Sequence, residues 1–192
     1  MGRRRGRGRV SNFTKWGLIS GAIAGGAALI PLVPAIRKRA MRITTILKKD
    51  HRIVGGLIRT LQMTPRVNGV VRMALLHQIH NQVLLHAQSE EEVLYPAIRN
   101  LMRMEAQSRV DEAYREHREI KDLLNDLTTM DPVSDAFDAK FAELRGKIER
   151  HVQEEEHLMF DMMKQRLPGD QLEELGRRLH ERKLDLKRRM AA

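Results

Sequence analysis

Residues 78–96 read QIHNQVLLHAQSEEEVLYP, and this stretch decides the fold. Apolar residues recur at Leu76, Ile79, Val83 and Leu94, the three-and-four spacing that lines one face of an α-helix. His86 and Glu90 fall on the same stripe. A buried ionisable side chain is costly unless something compensates it, so two of them on a core-facing stripe call for a partner. Residues four apart lie about 40° apart around a helix and one turn along it. Both side chains therefore reach one point in the core.

The pattern recurs in His151-Val152-Gln153-Glu154-Glu155, within the stripe Phe141, Leu144, Ile148, His151, Glu155, Leu158, Met162. Two further stripes carry one histidine each: His51 among Leu47, Val54 and Ile58, and His117 among Val110, Ala113, Ile120 and Leu124. A lone histidine on an apolar stripe is usually a hydrogen-bonded core residue. Four histidines and two glutamates converging on one core differ, because Glu90 and Glu155 would be neighbouring buried anions. Two divalent cations supply the charge that stabilises such a set, and carboxylates can bridge them. The absence of cysteine excludes thiolate zinc sites, iron–sulfur clusters, disulfides and cysteine nucleophiles from this chain. His and carboxylate donors suit iron, manganese or zinc.

Helical periodicity runs over about 41–62, 69–103, 105–128 and 134–166, with turn signals at Thr64-Pro65, Met130-Asp131-Pro132 and Leu167-Pro168-Gly169. Short connections make neighbours antiparallel, so the expected fold is all-α, an up-down-up-down four-helix bundle. Counting outward from the turns brings the donors of the last three helices to similar heights. A further segment, Gln171 to Met190, takes Asp170 as its N-cap and Leu172, Leu175, Leu179, Leu186 and Met190 as its stripe. It is expected to lie against the bundle with its charged face in solvent. Gly55-Gly56, inside the first helix, reads as a point of close approach. His77, His80 and His157 are expected to face away from the site, and His180 belongs to the terminal segment. Glu91, Glu92, Glu154 and Glu156 read as a solvated acidic collar, with Glu91 or Glu154 available to assist metal uptake.

The run His86 to Pro96, the repeat His151 to Phe160, and Asp50-His51 and His117 in order resemble the hemerythrin-like proteins, or HHE cation-binding domain, over about residues 41–190. The resemblance implies a non-haem di-iron centre of two Fe ions. Its metal ligands would be His51, His86, Glu90, His117, His151 and Glu155, with Glu90 and Glu155 bridging. The oxygen-carrying members have a further histidine one turn from the third-helix ligand, where this chain has Ala113 and Lys121. The set is more like the repair-of-iron-centres proteins and other stress-linked members. That implies a small diatomic or peroxide ligand, or iron handling under stress. Tyr114, one turn before His117, either lies near an open iron position or packs in the core with its hydroxyl outward. The alternative from a different class is a structural or interaction bundle with a structural metal site.

The basic charge is concentrated at the N-terminus. Residues 1–50 hold 12 of the 35 Lys and Arg against one of the 25 acids, Asp50, so the remainder, 23 against 24, is nearly neutral. A nucleic-acid-binding core would keep a basic face, and no specific nucleic-acid partner is expected. Residues 1–15 form an Arg/Gly-rich leader expected to be disordered. Trp16 to Ile36 carries no charge and is about long enough to cross a bilayer. Gly17, Gly21 and Gly25 have the spacing of close helix packing, hence of a homo-oligomer contact. Pro31 and Pro34 are expected to break its end. The segment reads as a membrane span, with the di-iron domain in the cytoplasm, or as a signal peptide cleaved near Val33-Pro34-Ala35 before export, or as a peripheral arm. No catalytic triad, phosphate-binding glycine loop or dinucleotide fingerprint is present.

Overall fold

Every periodic segment becomes a helix. The computed structural model describes residues 32–101 and 107–191, and six helices follow one another there. Helix α1 is Leu32–Ala40 and α2 is Ile43–Met63. Helix α3 begins as Gly69–Ser89, passes through a π-helical turn, Glu90–Leu94, and resumes as Tyr95–Leu101. Helix α4 is Gln107–Thr128. Helix α5 repeats the construction of α3: Asp135–Glu154, a π-helical turn Glu155–Met159, then Phe160–Arg166. Helix α6 is Gly169–Ala191. The leader, Trp16 to Pro31 and the Gly17/Gly21/Gly25 repeat lie outside the described residues. Pro34 lies within α1, near the start of the described residues. Among the described residues, no helix is long and apolar enough to cross a membrane.

Helices α2 to α5 form the bundle, with α2 on α3, α3 on α4 and α4 on α5, and α6 lies across the outside of α2 and α3. Ser134 caps α5, its hydroxyl accepting the Phe137 N–H at 3.1 Å, a contact that satisfies one of the free amides of the first turn. The 64–68 connection is held by buried Arg72, which donates to the Thr64 carbonyl at 3.1 Å, pairs with Asp138 and stacks over Phe137.

The core falls into two apolar clusters. One holds Val54, Ile58, Ile79, Val83, Ile120, Leu124, Phe141 and Ile148; the other holds Leu47, Leu94, Tyr95, Ala113, Met159, Phe160 and, from α6, Leu172, Leu175 and Leu179. On each bundle helix the predicted ionisable residue stands between a residue of one cluster and a residue of the other.

The stripes on α2, α3 and α4 are buried as expected, but α5 departs from its own after Glu155. Leu158 is 44% exposed, and Met159, Phe160 and Met163 are buried in its place. The π-turn adds a residue to the local repeat, so every later residue is rotated off the α-helical phase. Helix α6 begins at Gly169, which puts Asp170 in the first turn instead of at the N-cap; the Leu172 N–H bonds to the Pro168 carbonyl at 3.2 Å. Leu172, Leu175, Leu179 and Leu186 are buried, while Met190 in the last turn is exposed.

The close approach expected at Gly55-Gly56 occurs at Gly176 instead. A Cβ there would stand 1.8 Å from the Met41 carbonyl oxygen and 2.8 Å from the Ile43 amide, whereas one at Gly55 or Gly56 meets nothing within 4 Å. Gly176→Ala should therefore lower the unfolding free energy by about 1–3 kcal/mol through overpacking. Gly55→Ala should raise it by about 0.5–1 kcal/mol, because alanine holds a helix better than glycine. Urea denaturation of the two variants measures both.

Candidate metal centre

Among the described residues, the layer between the two clusters contains six of the nine buried polar or charged ones: His51, His86, Glu90, His117, His151 and Glu155. Each is less than a tenth exposed. Helix α2 supplies one imidazole, α4 one, and α3 and α5 an imidazole and a carboxylate each, so the four helices meet at one height. His51 Nε2 is 3.1 Å from Glu155 Oε2, and His117 Nε2 is 3.2 Å from His151 Nε2. Glu90 Oε2 is 3.4 Å from His86 Nε2 and 3.5 Å from His117 Nε2.

The donors approach one another without satisfying one another. His51 Nε2, Glu90 Oε1 and both Glu155 oxygens are buried with no hydrogen-bond partner. Unpaired buried polar atoms are uncommon and costly. Their separations match those of ligands around one ion, which stand about 3–3.5 Å apart when metal–ligand bonds are ~2.0–2.2 Å. Two groups of donors could each hold a cation: His86, Glu90, His117 and His151, and His51, His86, Glu90 and Glu155. Glu90 belongs to both, and a carboxylate has an oxygen for each of two ions. Glu155, expected to bridge as well, appears in only one group.

The electrostatics agree with a set waiting for positive charge. Burial raises the Glu90 carboxyl well above its ordinary range, and the neighbouring Glu155 adds to the rise; Glu155 itself is pushed up to about 8, again by burial first. Burial also drives two of the imidazoles towards the neutral form that binds metal, His117 down to about 4 and His86 well below its ordinary value.

Behind the imidazoles stands a ring of carboxylates facing the Nδ1 atoms. Glu156 lies 2.8 Å from His51, Glu91 3.0 Å from His117 and Glu116 2.9 Å from His151. Asp50 lies 3.8 Å from His86, an ion-pair separation. A carboxylate behind a ligating imidazole fixes its tautomer and raises its basicity. Three of the four hold a lysine: Glu156 with Lys48, Glu91 with Lys121 and Asp50 with Lys183. Burial pulls these three carboxyls upward, yet the lysine bonded to each and the histidine beside it hold each below its ordinary value, hence ionised. Glu91 and Glu156 are therefore not a solvated collar. Glu92 pairs with Arg182 at the surface, and Glu154 is exposed.

The residues from 42 to 163 match the hemerythrin HHE cation binding domain. This chain belongs to the hemerythrin HHE cation-binding domain family. Its fold is similar to the crystal structure of a hemerythrin HHE cation binding domain-containing protein from Mycobacterium kansasii, with a TM-score of 0.64 and 26% identity over 75% of this chain and 86% of that one. It is also 29% identical over 161 residues to a DNA nickase from Nostoc sp., and spans 83% of itself but only 44% of that protein. The α6 helix lies beyond the residues that match the family.

All six sequence-predicted donors meet in this layer, and His77, His157 and His180 are exposed while His80 is partly so. The tyrosine expected near the site is a different one. Tyr114 turns its hydroxyl to the Glu91 carbonyl at 2.9 Å, whereas fully buried Tyr95 places its hydroxyl 3.2 Å from Glu90 Oε2 and 3.3 Å from His117 Nε2. In an α-helix a residue five positions on lies about 140° away. The π-turn, closed by the Tyr95 N–H on the Glu90 carbonyl, brings it back to the face of Glu90. Pro96 was the available signal: in a regular α-helix its ring would press on the carbonyl four residues earlier. Asp161 holds the matching position on α5 and offers none.

A pH dependence follows. Metal must displace the proton of a carboxyl whose folded pKa is about 8, so apparent affinity for Co(II) should climb from pH 6 to about 8 and then level off. The metal-free protein should respond with opposite sign. The raised carboxyl contributes stability that is complete below its unfolded value and is lost as pH rises through about 8. His86 and His117, which burial keeps neutral in the folded chain, add stability as pH rises through their unfolded value of about 6.5, so the fall in metal-free Tm should show between about pH 7 and 8. Metal titration and calorimetry across that range test both, and a flat affinity would mean the carboxyls are already ionised.

Proposed function

We propose that this chain is a non-haem di-iron protein whose buried centre binds and reacts with small oxidants or diatomics, O2, NO or peroxide. The observation that supports this reading most strongly is the set of unpartnered oxygen and nitrogen atoms of His51, Glu90 and Glu155, brought together in a buried layer. Four nitrogens and four carboxylate oxygens are more than one tetrahedral structural site uses and fewer than two six-coordinate ions need. When bound, iron would supply one-electron redox chemistry and open positions for a small ligand.

The chain's own residues do the rest. His51, His86, His117 and His151 would hold the ions, oriented by Glu156, Asp50, Glu91 and Glu116. Glu90 would neutralise charge on both ions, and the Tyr95 hydroxyl donates to its Oε2 atom. The apolar walls on either side exclude solvent that would compete for an open position. The lack of a fifth histidine leaves less control over bound O2 than a carrier needs, so stress-linked reaction or sensing is favoured over transport.

The likeness to a DNA nickase supports a second reading, metal-dependent strand cleavage. Donors that are each less than a tenth exposed are out of reach of a nucleic-acid backbone, which weighs against it. Incubating supercoiled plasmid with the metal-loaded full chain tests it directly, and nicking that disappears in Glu90→Ala would establish the second reading over the first.

Elemental analysis of protein from iron-replete cells should find two irons per chain. Glu90→Ala or Glu155→Ala should lose metal, and His157→Ala should keep it. Reduced protein should bind NO and be oxidised by O2 without a form that reverts on degassing. One zinc and no iron after anaerobic reconstitution would favour the structural-site alternative.

We also propose that Trp16 to Ile36 tethers the domain to a membrane, on the strength of its uncharged length and flanking basic residues. The full chain should sediment with membranes and a version starting at Met41 should not; wholly soluble full-length protein would contradict the tether.

A further inference from the structure

Two cavities of opposite character touch the donor layer. One, of about 20 Å³, is lined by the four histidines and by Val54, Val83, Ile120 and Ile148 among other apolar side chains, with no carboxylate. An ion entering there would trade its hydration for apolar walls and imidazoles alone, with no anion to offset its charge. The other, of about 60 Å³, opens between α4 and α5. Arg109, Glu154 and Leu158 stand at its exposed rim, Glu112 and Glu116 along its wall, and His151 and Glu155 at its buried floor.

We propose that this second cavity is the port through which divalent cations reach the site, with Glu154, Glu112 and Glu116 as the carboxylates that pass them inward. The inference rests on the metal-binding reading above and deepens it. The floor is the first support: Glu155 is 3% exposed and neither of its oxygens has a hydrogen-bond partner, so the cavity ends on a buried carboxyl with oxygens to offer a cation. The second support is the charge around the layer. Cations approaching past His51, His86 or His117 meet Lys48, Lys183 or Lys121, each bound to the carboxylate behind that imidazole. Glu116, behind His151, holds no lysine or arginine among the described residues, and its side chain is 15% exposed.

Glu112 and Glu116 are one helical turn apart on α4, which sets two carboxylates in file along the wall. Glu112 pairs with Arg115 at the surface, and such an exposed pair is weak in water and yields to a divalent ion. Arg109 is exposed and solvent-screened, so it reduces the field at the rim without closing it. A cation drawn to Glu154 and Glu112 moves to Glu116 and then to Glu155 and His151, exchanging water for carboxylate oxygen at each stage.

The test is the rate at which metal-free full-length protein, prepared with a chelator, takes up Co(II), followed by its visible absorbance in a stopped-flow instrument. The double variant Glu112→Gln, Glu154→Gln should slow uptake by about tenfold or more, the range of electrostatic steering, with unchanged final stoichiometry. Leu158→Trp, which plugs the rim, should slow it as well. Glu143→Gln with Glu149→Gln changes net charge equally on exposed α5 positions that do not line the cavity, and should leave the rate unaltered. Equal rates in wild type and the port variant, or equal slowing by the distant pair, would overturn the port. Failure of the wild type to take up Co(II) or iron at all would instead overturn the metal reading.

Discussion

Glu90 and Glu155 lie in the middle of the bundle, and much of the surrounding structure follows from keeping two carboxyl groups out of water there. Isolated, each would take up a proton or destabilise the fold by several kcal/mol. Together with four imidazoles they form a layer that divides the apolar core into two clusters. A cation converts that layer from a liability into a cross-link between four helices. Folding and metal loading in this protein are therefore expected to be coupled.

The orienting shell shows how the charges are graded outward. The imidazoles face inward, carboxylates stand behind them, and Lys48, Lys121 and Lys183 stand behind three of those. Glu156, Glu91 and Asp50 are thereby held ionised between an imidazole and a lysine. The fourth direction, through Glu116, has no outer lysine among the described residues. The asymmetry gives an otherwise symmetric centre a distinct side.

Much of this was legible in the amino-acid order, because a donor such as His86 or Glu155 interrupts an apolar stripe of fixed period. Four helices with aligned interruptions leave one place for the donors to meet. What escaped was whatever depends on a change of period or on contacts between helices. The π-turns rotate Tyr95 towards the donors and turn Leu158 out to solvent. Nothing in the local sequence of α5 marks its π-turn, and Pro96 on α3 is a hint only once the turn is known. Glu91 and Glu156 looked like surface charges because each neighbours other acids in sequence; their partners His117 and His51 lie on other helices. Gly176 escaped for the same reason, since its role is set by the backbone of Met41 to Ile43 pressed against it.

Lys183 belongs to α6, beyond the residues that match the family, yet it holds Asp50, and Asp50 faces the Nδ1 atom of His86. The last helix thus reaches a donor on α3 through a lysine bonded to a carboxylate that lies beside the imidazole. A displacement of that helix, by a partner or by a modification on its outer face, would be felt as a change in the basicity of one nitrogen. An appended helix in this arrangement serves as a tuning arm, and trimming the chain to the family's boundaries would leave all six donors present and one of them differently poised.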